Sequence, residues 1–169
     1  VFPALELTLS VPCQCIMILD ADFPVDRLDD VLKAMHFDPV DPTLDKLPQT
    51  TVLPDSGDIN NLHEKLDKND WLKGRYIILP NVTPKGHKTL LRESFQAKYS
   101  AMMSVGGYLD GPVTELDKKK YIGEKRILDG RDANWGSKQL ALFQTSDARN
   151  ADFSMLGEHA TWVKWANPT

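Results

Sequence analysis

Two carboxylates near opposite ends of the sequence occupy positions that an α/β protein uses for chemistry. Glu6 interrupts the short apolar stretch 4–9, and Asp147 follows an apolar run that ends at Thr145. An unpaired buried carboxylate is costly, so Glu6 is expected to face solvent, a cationic partner or a metal. The end of a strand holds a side chain in place and leaves it open to a ligand, which is the position predicted for Asp147. We therefore expect the side chains of Glu6 and Asp147 to lie close together and to form one metal-binding site at an open edge of the fold.

The most basic local cluster of this acidic chain follows Asn81. Its members are Lys85, His87, Lys88 and Arg92. A helix is predicted from Pro84 to about Tyr99, and the N–H groups at a helix start, with positive side chains beside them, can bind a phosphate. The segment lacks the second glycine and the spacing of a Walker loop. A phosphate site and a solvated helix face are both consistent with this pattern.

Polar residues also stand at the ends of two central predicted strands. Asn81 follows the apolar strand 76–79, where it is either a ligand or phosphate contact or a turn residue. Asp110 follows the glycine pair Gly106-Gly107, which suits close approach of the backbone to a ligand or to a neighbouring element. These residues extend the list of candidates at strand ends.

Size and composition indicate one globular domain over residues 1–169. The chain is 41% hydrophobic and 26% charged, with a net charge of -4 and a pI near 5.5. No long Lys/Arg stripe is present, so general electrostatic attraction to nucleic acid is not indicated, although a local phosphate site is compatible with this charge. Cys13 and Cys15 have the spacing of neither a zinc knuckle nor a good disulfide, which predicts reduced, packed thiols in a cytoplasmic protein.

The apolar patterning predicts an α/β fold with mostly parallel strands and outer helices. Strands are predicted at 4–9, 11–19, 76–79, 103–109, 138–145 and 159–165, and helices at about 22–35, 59–69 and 114–126. The continuous apolar run towards residue 19 suits a strand covered on both faces. The proline-rich segment 37–58 is interpreted as an insertion, and His63 is expected to be solvated. No apolar run approaches the roughly 20 residues that span a bilayer, so no membrane association is expected.

Several short segments together resemble a known family. They are Phe2-Pro3-Ala4-Leu5-Glu6-Leu7, the strand 15–19 running into Asp20, Thr145-Ser146-Asp147-Ala148-Arg149, Gly157 and Thr161-Trp162-Val163-Lys164. In this order they resemble the later motifs of the PHP (polymerase and histidinol phosphatase) domain, in particular PHP-like domains joined to a large ATPase region in bacterial proteins. The resemblance implies an incomplete, distorted (β/α)7 barrel, of which this chain is the C-terminal portion.

The resemblance also implies phosphoester hydrolysis by divalent metal ions, Mn²⁺, Zn²⁺ or Fe²⁺, held at the carboxyl ends of the strands. On this match Glu6 takes the position of the metal-bridging glutamate and Asp147 that of the aspartate in the terminal Asp-x-His motif. Asn81 falls near a His or Asn ligand, and Cys15, or Gln14 beside it, falls near a ligand His. Metal ions would activate a water for attack on phosphorus. Charge on the phosphoryl oxygens would be neutralised further by basic groups such as Lys85, His87 or Arg149.

The sequence departs from the family pattern at two points, and these departures leave more than one function possible. The opening His-x-His pair belongs before residue 1, and Arg149 stands where a ligand His is expected. A guanidinium cannot ligate a metal but can clamp a phosphate. One predicted function is therefore a metal-dependent phosphoesterase acting on a phosphate monoester or a nucleic-acid phosphodiester. The alternative is a non-catalytic module that binds a nucleotide or nucleic-acid end for a linked ATPase, and the third is an α/β domain whose polar strand ends are only turns.

Overall fold

The computed structural model describes residues 2–37, 52–53, 55–104, 106–110 and 124–146. Its strands are β1 (Ala4–Thr8), β2 (Gln14–Leu19), β3 (Tyr76–Pro80), β4 (Gly106–Leu109) and β5 (Ala141–Gln144). Its helices are α1 (Leu28–Ala34), α2 (Ile59–Leu66) and α3 (Gln96–Ala101). Short 3₁₀ turns lie at Val25–Arg27, Glu93–Phe95 and Ala133–Trp135, and residues 124–128 are helical.

The strands form two small sheets that differ in direction. β1, β2 and β3 form an antiparallel sheet in that order, and β4 pairs with β5 in parallel. An isolated parallel bridge between Asn81 and Tyr108 connects the end of β3 to β4. The last three strands therefore run in the same direction where they meet, and their carboxyl ends share one edge.

The prediction of a (β/α)7 barrel with mostly parallel strands is wrong. β1 and β2 form a hairpin, and an antiparallel pair needs only a short turn, whereas parallel strands need a crossover of a dozen or more residues. The continuous apolar sequence of β2 was misleading, because its side chains do alternate in burial. Cys15, Met17 and Leu19 are buried in the main core, while Ile16 and Ile18 are half-buried on the other face.

The core packs one face of the antiparallel sheet against the helices. It includes Val31 of α1 and both Leu62 and Leu66 of α2, and burial of each large aliphatic side chain contributes about 1.5–3 kcal/mol. α2 begins with a capping box in which the Asp58 side chain accepts hydrogen bonds from backbone N–H groups of the first turn. The helix predicted from about residue 22 begins later, at Leu28, after a 3₁₀ turn in which Val25 is 64% exposed.

The paired glycines serve close packing between strands. A Cβ at Gly107 would lie 2.8 Å from Cγ2 of Val82, and one at Gly106 would lie 3.0 Å from Cδ2 of Leu79. A side chain at Gly107 would force Val82 to move, and one at Gly106 would require a smaller shift of Leu79, so glycine at both positions allows the close approach of β4. The glycine pair was predicted to allow close approach either to a ligand or to a neighbouring element, and the neighbouring element explains it.

Several predicted features fall wholly or mostly outside the described residues. These are the insertion at 37–58, the helix at 114–126, the closing strand at 159–165, Asp147 and Arg149. Cys13 and Cys15 are described, and both are free, buried thiols. Within the described ranges, none of the helices has both the length and the apolar character that crossing a bilayer requires.

Candidate functional site

Polar side chains gather at the edge where β3, β4 and β5 end. The backbone N–H of Asp110, after β4, donates to Oγ1 of Thr83 at 2.8 Å. The hydroxyl of Thr145, after β5, lies 3.2 Å from both a carboxylate oxygen of Asp110 and the carbonyl oxygen of Leu109. We call Asn81, Thr83, Asp110 and Thr145 the polar rim. The rim connects the ends of three strands through side-chain hydrogen bonds.

We call the segment 82–89 the basic loop. The buried side chain of Asn81 connects this loop to the polar rim through hydrogen bonds. Asn81 is 1% exposed. Its Oδ1 accepts a hydrogen bond from the Thr83 N–H at 2.9 Å, and its Nδ2 donates to the His87 carbonyl at 3.3 Å. The chain then returns so that the Leu90 N–H donates to the Asn81 carbonyl at 2.8 Å. Because its amide is engaged at both ends, Asn81 acts as a turn residue here.

The helix predicted from Pro84 to Tyr99 is wrong over most of its length. Helical structure is confined to the 3₁₀ turn Glu93–Phe95 and to α3, and the basic loop consists of turns. Lys85 and Lys88 have φ angles of 55° and 50°, in the left-handed region that a right-handed helix excludes. Each such residue other than glycine costs about 1–2 kcal/mol. Strain of this kind persists only where surrounding contacts impose it, and it is concentrated at functional sites.

The basic loop presents cationic side chains that pair with no other described residue. Lys85 and His87 are exposed and Lys88 is half-buried. None of these three side chains has a hydrogen bond or ion pair with another residue in the part of the chain that the structure describes. The backbone holds the loop against β2, since the Gln14 N–H donates to the Lys88 carbonyl at 3.0 Å. The loop therefore offers positive charge at the carboxyl edge of the sheet.

Arg92 extends the positive charge at this edge. Burial raises the pKa of the Cys13 thiol to about 12. A backbone hydrogen bond with Asn81 and the positive charge of Arg92 lower this pKa, but by less than burial raises it. Both groups therefore lie near Cys13, at the start of β2. The four basic residues predicted to form a cluster all belong to the loop or to the segment directly after it.

Glu6 lies on the exposed side of β1 and is accessible. Its Oε1 accepts a hydrogen bond from Nε2 of Gln14 at 3.2 Å. Burial raises the pKa of the Tyr108 phenol, and the charges of Asp110 and Glu6 raise it further. Both carboxylates therefore lie near the Tyr108 ring, on the strand that ends at the polar rim. The predicted meeting of Glu6 with Asp147 lies outside the described residues, as does the predicted phosphate clamp Arg149.

Two of the predicted metal ligands, Cys15 and Asn81, lie in surroundings that do not suit metal binding. Cys15 is 0% exposed, and burial raises the pKa of its thiol well above the ordinary value. Only the thiolate is a metal ligand, so Cys15 is unsuited to this role. Asn81 is committed to the basic loop, as described above. Across the described ranges, no group of three or more His, Cys, Asp or Glu side chains could hold a metal ion.

Sequence reasoning overlooked the two threonines of the rim. Thr83 lies two residues after Asn81, the spacing at which an Asn side chain accepts the backbone N–H of an Asx turn. This spacing was visible in the sequence. The partner of the Thr83 hydroxyl was not visible, because Asp110 lies 27 residues away and meets it only through the pairing of β3 with β4.

A cluster of titratable side chains lies at the opposite end of β3, so the prediction that His63 is solvated is wrong. The Tyr76 hydroxyl donates to Oδ1 of Asp67 at 2.8 Å and lies 3.1 Å from Nδ1 of His63, whose ring stacks on the Tyr76 ring. With its proton directed to Asp67, Tyr76 can only accept from His63, so the neutral imidazole carries its proton on Nδ1. The buried Nε2 of His63 has no hydrogen-bond partner in the described residues.

This cluster predicts acid-sensitive stability. Burial lowers the pKa of His63 below its ordinary 6.5, with the Asp67 charge opposing. The unfolded chain therefore binds the proton more readily, so the contribution of His63 to stability is complete above pH 6.5 and is lost as the pH falls through the lowered folded value. His63→Gln should flatten this slope in denaturation midpoints measured from about pH 7.5 to about pH 5. Equal slopes in His63→Gln and in the exposed-site control His87→Gln would contradict this prediction.

A comparison with known protein families, characterised proteins and solved structures found no match to this chain. The resemblance to PHP domains stays a prediction. The polar rim and the basic loop are a candidate site because of the geometry of this chain alone.

Proposed function

We propose that this chain is a phosphate-recognising module, the non-catalytic function among those predicted, which binds the phosphate of a nucleotide or nucleic-acid end at the basic loop. One observation carries the proposal. A strained loop, held by the buried Asn81, presents Lys85 and Lys88 at the edge where three strands end, and neither side chain has a partner among the described residues. Left-handed backbone at two neighbouring lysines supports a ligand-binding role for the loop.

The chemistry of the loop suits a phosphate. Lysine ammonium groups attract phosphate oxygens as point charges, and His87 adds a ring N–H donor. Asp110 would repel an anion placed on the rim itself, so the phosphate is expected on the lysine side of the loop. Since the whole chain carries a net charge of -4, binding is local and should weaken as salt rises.

The partner proposed for this module is an associated or linked ATPase domain, which the PHP resemblance supports. In that arrangement the module holds the phosphorylated end while the ATPase acts.

Removing the two lysine charges should weaken phosphate binding. In Lys85→Asn/Lys88→Asn, asparagine tolerates the left-handed backbone, so charge is removed with little added strain. We expect affinity for a short 5′-phosphorylated single-stranded oligonucleotide to fall about tenfold at low salt, as measured by fluorescence anisotropy. The exposed lysine variant Lys125→Asn is the control and should bind as the wild type does.

Two outcomes would contradict the proposal. One is equal affinity of the double variant and Lys125→Asn for the phosphorylated oligonucleotide. The other is equal affinity of the wild type for the phosphorylated and unphosphorylated forms of that oligonucleotide.

Metal-dependent phosphoester hydrolysis is the second candidate. It is supported by the PHP resemblance, in which Glu6 and Asp147 take the positions of metal ligands. Hydrolysis of a generic phosphodiester by the full-length protein with added Mn²⁺, lost in Asp147→Ala, would support this candidate over the binding module. Retained oligonucleotide binding without such hydrolysis would support the binding module.

A further inference from the structure

An open groove lies between α1 and the turn that follows α2. It has a volume of about 440 Å³ and is lined by Arg27, Asp30, Lys33, Ala34, Asn69 and Trp71. The groove is wide open to solvent, so a bound ligand would stay largely exposed. None of these residues belongs to the polar rim or the basic loop, so the groove is independent of the function proposed above.

The guanidinium of Arg27 is held in a fixed orientation at this groove. Its central carbon lies 4.0 Å from the centre of the Trp71 ring, and Trp71 packs in turn against Phe23 with ring centres 6.3 Å apart. Its Nε donates to Oδ2 of Asp30 at 3.2 Å. The two terminal nitrogens make no hydrogen bond to any residue within the described ranges. A guanidinium oriented in this way presents a rigid pair of donors that matches a carboxylate.

Asn69 contributes an acceptor of known orientation. Its Nδ2 donates to the carbonyl groups of Lys65 and Leu66 at 3.3 Å each. Because the amide nitrogen is directed at the end of α2, Oδ1 is the atom left to accept a hydrogen bond from a ligand. Lys33, on α1, is exposed and has no hydrogen bond or ion pair among the described residues.

We propose that this groove binds a small organic acid that also carries an O–H or N–H donor. The carboxylate contacts the Arg27 guanidinium and the Lys33 ammonium, and the donor group contacts Oδ1 of Asn69. Among the described residues that line the groove, Arg27 and Lys33 are cationic, and the one carboxylate, Asp30, is already paired with Arg27. The lining therefore carries an excess of positive charge, which favours an anion.

An isosteric series of acids tests the class of ligand. Propionate, lactate and alanine are titrated separately while the indole N–H resonance of Trp71 is followed by NMR. Lactate is expected to shift this resonance saturably in the millimolar range and to bind more tightly than propionate, which lacks a donor. Tighter binding of alanine than of lactate would assign the donor as an N–H group, and tighter binding of lactate would assign it as an O–H group.

Variants test the two cations. Lys33→Gln should weaken lactate binding about fivefold, and Arg27→Lys, which keeps the charge but loses the planar fork, should weaken it by a similar factor. Lys73→Gln, an exposed lysine that does not line the groove, should bind as the wild type does. The proposal is overturned by no saturable shift of the Trp71 resonance, by affinity for propionate equal to that for both lactate and alanine, or by equal affinity in Lys33→Gln and Lys73→Gln.

Discussion

Asn81→Ala is expected to lower the free energy of unfolding by about 3 kcal/mol and to abolish phosphate binding at the basic loop. The Asn81 side chain is buried and bonds to the Thr83 N–H and the His87 carbonyl. Alanine leaves both backbone groups without their partner in a place that water reaches poorly. Chemical denaturation measures the first effect, and anisotropy with the 5′-phosphorylated oligonucleotide measures the second.

The control for this prediction is Asn134→Ala, the same substitution at an exposed position. It is expected to change stability by less than about 0.5 kcal/mol. If Asn81→Ala is as stable as Asn134→Ala, the side chain does not anchor the loop. Loss of a bound Mn²⁺ with unchanged stability would instead make Asn81 a metal ligand, as the PHP resemblance implied.

Tyr99→Ala is expected to lower the free energy of unfolding by about 4 kcal/mol, the largest effect of the substitutions considered. Tyr99 is 0% exposed on α3, and its ring meets that of Trp135 edge to face at 5.2 Å. Its hydroxyl lies 3.4 Å from the carbonyl oxygens of Ile127 and Lys138. Alanine removes the ring from the core and leaves a cavity that the short surrounding elements cannot fill. The shift in the urea midpoint measures the loss.

Tyr99→Phe separates the ring from the hydroxyl. This variant keeps the contact with Trp135 and loses only the hydrogen bonds, so we expect a loss of about 1 kcal/mol. Equal losses in Tyr99→Phe and Tyr99→Ala would mean that the hydroxyl, and not the packing of the ring, is the source of stability.

Local features of this fold were predictable because near neighbours in the sequence determine them. The strand beginning at Tyr76 and the helix carrying Leu62 and Leu66 were predicted close to their observed bounds. Their apolar spacing matches the side-chain period of each element, and Asp58 supplies the cap that starts α2. The burial of Cys13 and Cys15 likewise agrees with the prediction of packed, free thiols.

The direction and partners of the strands depended on contacts that no local pattern records. β2 pairs antiparallel with both β1 and β3, although its apolar run is typical of a strand in a parallel sheet. The helix expected after Pro84 was overridden because Asn81 fixes a turn whose backbone enters the left-handed region at two lysines. Propensity is a weak prior when buried hydrogen bonds of this kind compete with it.

Residue types and their spacing were enough to predict strand β3, helix α2 and the basic character of the loop after Asn81. They did not reveal that Thr83 meets Asp110 or that Arg27 stacks on Trp71, which follows from the folded chain. The reason is physical: spacing along the chain determines which face of an element a residue occupies. Partners tens of residues apart depend on where the chain returns, which is settled by strand pairing and burial over the whole domain.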